Sequence, residues 1–276
     1  MHDGHAGQTI PEDTLDELLA VGEDVRANLK RKIEWIQTTV EAPAGEEFLQ
    51  TWEFVLAMLC WDVSGSALRL GRADELRAAR ILNRSVIEYA FRLHYYARNH
   101  GEAEKHFREV DNFMRKVSSA SAKYKGDMSA AQLKRYNAFI TSGSHKFGYP
   151  RSDEMMKATL LNLGHSGKAL DVNALYLESG YSIGSAITHG SQGAIFDVIE
   201  KTPPPVSIIH HEKSRYFTPF DSLFRTTMSL IVFLKAMEYH HNADMGCSTH
   251  ARDLELRFMR NGSPKFSVFT HVPFGP

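Results

Sequence analysis

The sequence predicts an all-α fold: a bundle of about eight helices, closed by a short C-terminal β-hairpin. Three observations carry this expectation. Apolar residues recur at helical spacing along several long stretches, the mark of a buried stripe on a 3.6-residue period. Glycine and proline punctuate the gaps between those stretches. Only residues 254–274 alternate with period two, around the turn sequence Asn261-Gly262-Ser263-Pro264.

Taken in order, residues 1–10 show no apolar period and read as disordered. Pro11, Glu12 and Asp13 open the first helix, since proline and acids suit a first turn. Leu15, Leu18, Val25, Leu29, Ile33 and Ile36 carry it to about Val40. A second helix over Glu46–Leu70 bears Trp52, Leu56, Leu59, Trp61 and Val63, with Gly71 marking its end. The central helix spans Ala73–His100, and Gly101 follows as a plausible C-cap. Glu102–Lys125 is a more polar helix with a narrow stripe at Phe107, Val110, Phe113 and Val117. Ser129 caps a short helix to Ile140, and Ser152 opens another to Leu163. A long helix then covers residues 171–200. After a proline-rich break at 201–205 and a loop, Pro219 opens a last long helix to Asn242. The domain division is therefore 1–10 disordered, 11–245 bundle and 246–276 hairpin appendage.

Composition is ordinary for a globular chain: 276 residues, 43% hydrophobic and 24% charged, with a formal net charge of -1. No global basic field exists, so nucleic-acid binding would need a local patch. Cys60 and Cys247 stand far apart and suggest no disulfide framework, which suits a reducing cytosol. The first residues lack the basic and apolar regions of a secretory signal. The apolar runs near Phe54–Trp61 and Leu230–Ala236 are too short to span a bilayer. The expectation is a soluble cytoplasmic protein without a membrane partner.

The central helix concentrates the candidate chemistry. Its middle is apolar nearly all round, with Ile81, Val86, Ile87, Phe91 and Leu93, yet Arg80, Arg84, Glu88 and Arg92 follow at steps of four. Buried charges must be paired and hydrogen-bonded, or they cost several kcal/mol. Residues 171–200 hold Gly180, Gly184, Ala186, Gly190 and Gly193, and each helical glycine costs about 1 kcal/mol. Such a stripe fits a close approach to the bulky central helix. Its conspicuous polar group is His189, with Ser185 one turn before and Tyr181 two turns before. The expected site is thus Arg84, Glu88 and His189, lined by Arg80, Arg92, Tyr181 and Ser185. Two readings stay open. Arg84 binds an anion while Glu88 orients His189 as acid or base, or the group is an internal ion pair beside a satisfied core histidine.

Other motifs carry less. GHSGKA at 164–169 fails as a phosphate loop, with Asn162 at the first glycine position and Ala169 after the lysine. Glu238-Tyr239-His240-His241 is an ExxH, but a di-iron bundle needs a second copy and two more glutamates. Histidines at a helix C-terminus also suit the dipole, and that reading is preferred here. His145, His165, His210, His211 and Glu212 sit in expected loops, with no cysteine pair or HExxH to support zinc. No metal and no cofactor are expected, and no GxSxG elbow supports a serine hydrolase. Lys105, Arg108, Arg115, Lys116, Lys123 and Lys125 make one helix face basic, more simply a solvated face than a nucleic-acid footprint.

The segments RILNRSVIEYAFRLHYYARN and YSIGSAITHGSQGA resemble a large bacterial family of uncharacterised all-helical proteins, filed as a domain of unknown function. The matching positions are Arg84, Glu88, Tyr181, Ser185, His189 and Gly190, over roughly residues 45–240. That family is similar to HEPN-type helical domains, many of which are metal-independent ribonucleases of toxin and phage-defence systems, often dimeric. The resemblance implies a HEPN-like bundle, a homodimer, and RNA or a nucleotide as partner. One departure matters: HEPN ribonucleases place an arginine and a histidine a few residues apart on one helix. Here no arginine is followed by a histidine four to six residues on, and Lys235 with His240 is the nearest equivalent. The expected function is a pocket that binds a small anionic ligand, nucleotide or RNA. The alternative is a metal-independent HEPN-type ribonuclease using Arg84 and His189.

Overall fold

The computed structural model describes residues 11–39, 45–110, 126, 128–141, 155, 181 and 218–260. The elements among them are all helices: α1 (Glu12–Thr39), α2 (Glu47–Arg72), α3 (Leu76–Arg98), α4 (residues 100–110), α5 (Ala130–Thr141), α6 (Pro219–His241) and α7 (Cys247–Arg260). No strand occurs among the described residues. The all-α expectation holds there.

Helix α6 is the innermost rod. Phe220, Leu223, Phe224, Leu230, Phe233, Leu234 and Met237 are all buried in it. Its polar residues bend back on their own backbone: the hydroxyls of Thr226, Thr227 and Ser229 donate to the carbonyls of Ser222, Leu223 and Arg225 at 2.9, 2.8 and 2.7 Å. That satisfies a buried hydroxyl without a partner helix. Thr218 and Asp221 form a capping box with Pro219 in the first turn, and Asn242 ends the helix at φ 47°. Proline starting and a left-handed cap ending a helix are local choices the sequence makes by itself.

Packing against α6 fixes the directions of the other rods. Asn83 of α3 donates to the Ser222 carbonyl at 3.2 Å, and α3 leaves the bundle where His100 faces His240, so α3 runs parallel to α6. Gly71 at the end of α2 meets Ser222 at the start of α6, whereas Glu53 near the start of α2 meets the end of α6. α2 is therefore antiparallel to α6. α1 packs on α2 and α6, with Gly22 against Thr227 and Trp35 against His241, and α7 folds back onto α1 and α6. The shared core includes Leu18, Val25 and Leu29 of α1, Leu56 and Leu68 of α2, and Phe91 and Tyr96 of α3. Cys60 and Cys247 are both buried and free.

Three expectations change. Gly71 does not end α2, which continues through it to Arg72; the glycine is where α2 touches α6. α2 is also long and apolar enough, by length and composition, to cross a membrane, although its apolar side packs in this bundle. Finally, Leu254–Arg260, expected as the first arm of the hairpin, is helical and belongs to α7. The reason is a stripe at Cys247, Ala251 and Leu254, at helical spacing, packed on the core. Leu256 points outward, and Asp253 pairs with Arg257 one turn on at 3.1 Å. The period-two alternation of 254–260 overlies that stripe.

Several expectations lie outside the described residues: disorder at 1–10, helical continuation over 111–125, the loops, and the turn and second arm of the hairpin. Of the expected helices at 152–163 and 171–200, only Met155 and Tyr181 are described, and both are helical.

A methyl at Gly71 would come within 2.7 Å of the Ser222 hydroxyl. Gly71→Ala is expected to lower stability by about 1–3 kcal/mol, the usual range for overpacking. Gly101→Ala, with open space around the new methyl, serves as the control. Urea midpoints of the two variants against wild type measure the difference.

Candidate functional site

On α3 the stepped charges form a ladder. Glu88 serves two arginines, one with each oxygen: Arg84 Nη2 lies 3.3 Å from Oε2, while Arg92 donates to Oε1 at 2.6 and 3.1 Å. The tighter pair has glutamate N-terminal to arginine, the favoured orientation on a helix. These side chains are only 15–21% exposed. Arg80, one turn earlier, is buried. The Arg84 guanidinium also lies over the ring of buried Tyr181, 5.2 Å from its centroid. Of the residues expected to converge, Arg84, Glu88, Arg92 and Tyr181 therefore meet, and Arg80 stands on the same stripe. Ser185 and His189 lie outside the described residues.

Asn83, between Arg80 and Arg84, sets its side-chain oxygen against the Thr226 hydroxyl and donates to the Ser222 hydroxyl. This sets the arginine turn of α3 level with the α6 turn that carries Arg225, also buried. On α4, Lys105 and Arg108 pair with Glu102 and Glu104, which suits the solvated-face reading of that basic stretch.

A second centre sits at the far end of the bundle, and the sequence reading missed it. Glu53 occupies the core stripe of α2, with Leu49, Leu56 and Cys60, and is fully buried. His240 Nδ1 and His241 Nε2 both donate to its Oε2, at 2.8 and 2.7 Å. Glu46 lies behind: one oxygen is 3.4 Å from His240 Nε2, the other 3.2 Å from His100 Nδ1. Trp35 presses edge-on against His241. The ExxH motif is not used as such. Glu238 instead accepts from the backbone amides of Met245 and Cys247 at 3.2 and 2.9 Å, fixing the turn into α7.

Electrostatics of this centre oppose burial. Burial alone would raise the Glu53 carboxyl; hydrogen bonds from His240 and His241, and their charge, outweigh it and hold the group below its ordinary value. Burial alone would lower His240, but the hydrogen bond and charge of Glu53, then of Glu46, raise it. His94, buried on α3, behaves oppositely: burial, with the Arg98 and Lys235 charges, holds it at about 4.

Comparison with protein-family models, curated proteins and solved structures finds no match to this chain. The class that fold and sites define is an all-helical bundle with one half-buried and one buried charged centre.

The lowered Glu53 contributes stability above about pH 4.3, lost as the pH falls through its folded value. The raised His240 contributes fully below about pH 6.5, and that part is lost as the pH rises through its folded value. The stability difference between wild type and Glu53→Gln should thus peak between about pH 4.3 and 6.5. His94 weakens both proteins alike below about pH 6.5, so the difference isolates the pair. Denaturant titrations in chelator across pH 4–9 measure it; a difference independent of pH contradicts the assignment.

Proposed function

We propose that this chain is a HEPN-like helical module that binds an anionic ligand, nucleotide or RNA phosphate through the arginine ladder of α3. The observation that carries this reading is the state of Arg84. Its guanidinium is held on one side by Glu88 and on another by the Tyr181 ring. Its Nε is buried and has no hydrogen-bond partner among the described residues. A fixed guanidinium with a donor to spare is an acceptor-seeking group, and a pair of carboxylate or phosphate oxygens matches its fork. Arg80 and Arg92 flank it on the same stripe. Glu88 orients the arginines, and in this reading His189 completes the pocket from the other segment of the resemblance.

The test is binding by the full chain to ATP and to a labelled single-stranded RNA, by fluorescence anisotropy at two salt concentrations. Arg84→Gln should weaken binding about 10- to 100-fold, the weight of a charged hydrogen bond. Glu88→Gln should keep or tighten binding while costing about 1–3 kcal/mol of stability, between an exposed and a buried ion pair. Equal affinity of wild type and Arg84→Gln, or no binding to either probe, sinks the reading. RNA cleavage by wild type that Arg84→Ala and His189→Ala both abolish would replace binding by the ribonuclease alternative.

A further inference from the structure

We propose that Glu53, His240 and His241 bind one divalent transition-metal ion of the zinc class, tying the start of α2 to the last turn of α6. Their donor atoms, two imidazole nitrogens and a carboxylate oxygen, all lie within 4.8 Å of one another. Two histidines and one carboxylate form a recurrent zinc and ferrous donor set, whereas calcium and magnesium take oxygen ligands.

Two further features point to a ligand. First, Glu53 is fully buried, yet its second oxygen, Oε1, has no hydrogen-bond partner among the described residues. Such an orphaned carboxylate oxygen is costly unless something fills its place, and a cation does so. Glu53, His240 and His241 supply three of the four donors zinc prefers. Second, Glu46 stands against His240 Nε2, the nitrogen that faces away from Glu53. A carboxylate behind a ligating histidine orients the ring and fixes the tautomer that leaves the inner nitrogen free to bind.

The fit is close. Donors around a tetrahedral zinc, with bonds of about 2.0–2.1 Å, stand about 3.3–3.4 Å apart. Here the carboxylate oxygen is 2.8 and 2.7 Å from the two nitrogens, so the ion replaces the shared protons after an opening of about 0.6 Å. The His240 and His241 side chains are 2% and 8% exposed. Little solvent reaches the ion, so its role is to cross-link helices rather than to face a substrate.

The full chain, stripped with chelator and titrated with zinc sulfate, is measured for metal content by mass spectrometry and for its melting temperature. Wild type should hold one zinc per chain and melt higher with it. Glu53→Gln and His241→Gln should lose that equivalent. Glu46→Gln, at a partly exposed position that leaves all three ligands in place, should bind about 10- to 100-fold more weakly. Should Glu53→Gln not fold, Glu46→Gln decides. No zinc equivalent on wild type, or Glu46→Gln and His241→Gln binding like wild type, overturns the proposal.

Discussion

A carboxylate in the apolar seam between α2 and α6 is the constraint around which this bundle is arranged. Removing a carboxylate from water costs several kcal/mol unless close partners compensate. Glu53 obtains compensation only where the last turn of α6 delivers two imidazoles to one oxygen. That requirement sets the antiparallel alignment of α2 and α6, and it draws the end of α1, through Trp35, and the exit of α3, through His100 and Glu46, to the same end. At the opposite end the same helices meet through small residues, with Gly71 of α2 against Ser222 of α6. One end is aligned by charge, the other by close backbone approach.

α6 reconciles two demands along its length. It is buried nearly throughout, yet its first half is rich in hydroxyls. Hydroxyls that donate to carbonyls one turn earlier make that burial tolerable and leave Asn83 to link α3 to Ser222 and Thr226. The α3 ladder is thereby held in register with α6, and Arg84 stays fixed between Glu88 and Tyr181. A fixed guanidinium binds an oxyanion at lower entropic cost than a free one, which links the packing of α6 to the binding role proposed for α3.

The parts of this fold legible in the sequence were those written in one helix at a time. The rods α1, α3 and α6 follow from their apolar periods, and the ladder follows from arginines and a glutamate at steps of four. The closeness of Tyr181 to Arg84 was also expected, from a resemblance and from the small residues around the tyrosine. What failed was of two kinds. Over 254–260 two periods overlap, and the stripe Cys247, Ala251, Leu254 prevailed because it packs on the core, while Leu256 of the alternating set points outward. Glu53, by contrast, has partners 187 and 188 residues away, and no spacing rule reaches that far. The available signal was its position: a glutamate in line with Leu49, Leu56 and Cys60, where an apolar residue is the rule. In the sequence, His240 and His241 fit the helix dipole and their own motif offers Glu238, which the structure spends on the amides of Met245 and Cys247.

The central claim is that Glu53 and His240 are energetically coupled across the seam. A double-mutant cycle with Glu53→Gln, His240→Gln and the double variant, unfolded in urea with chelator at about pH 5.5 inside the window where both groups are charged, measures that coupling directly. The expected coupling energy is about 1.5–3 kcal/mol, that of a charged, buried hydrogen bond. Additive effects, within about 0.5 kcal/mol, would contradict it.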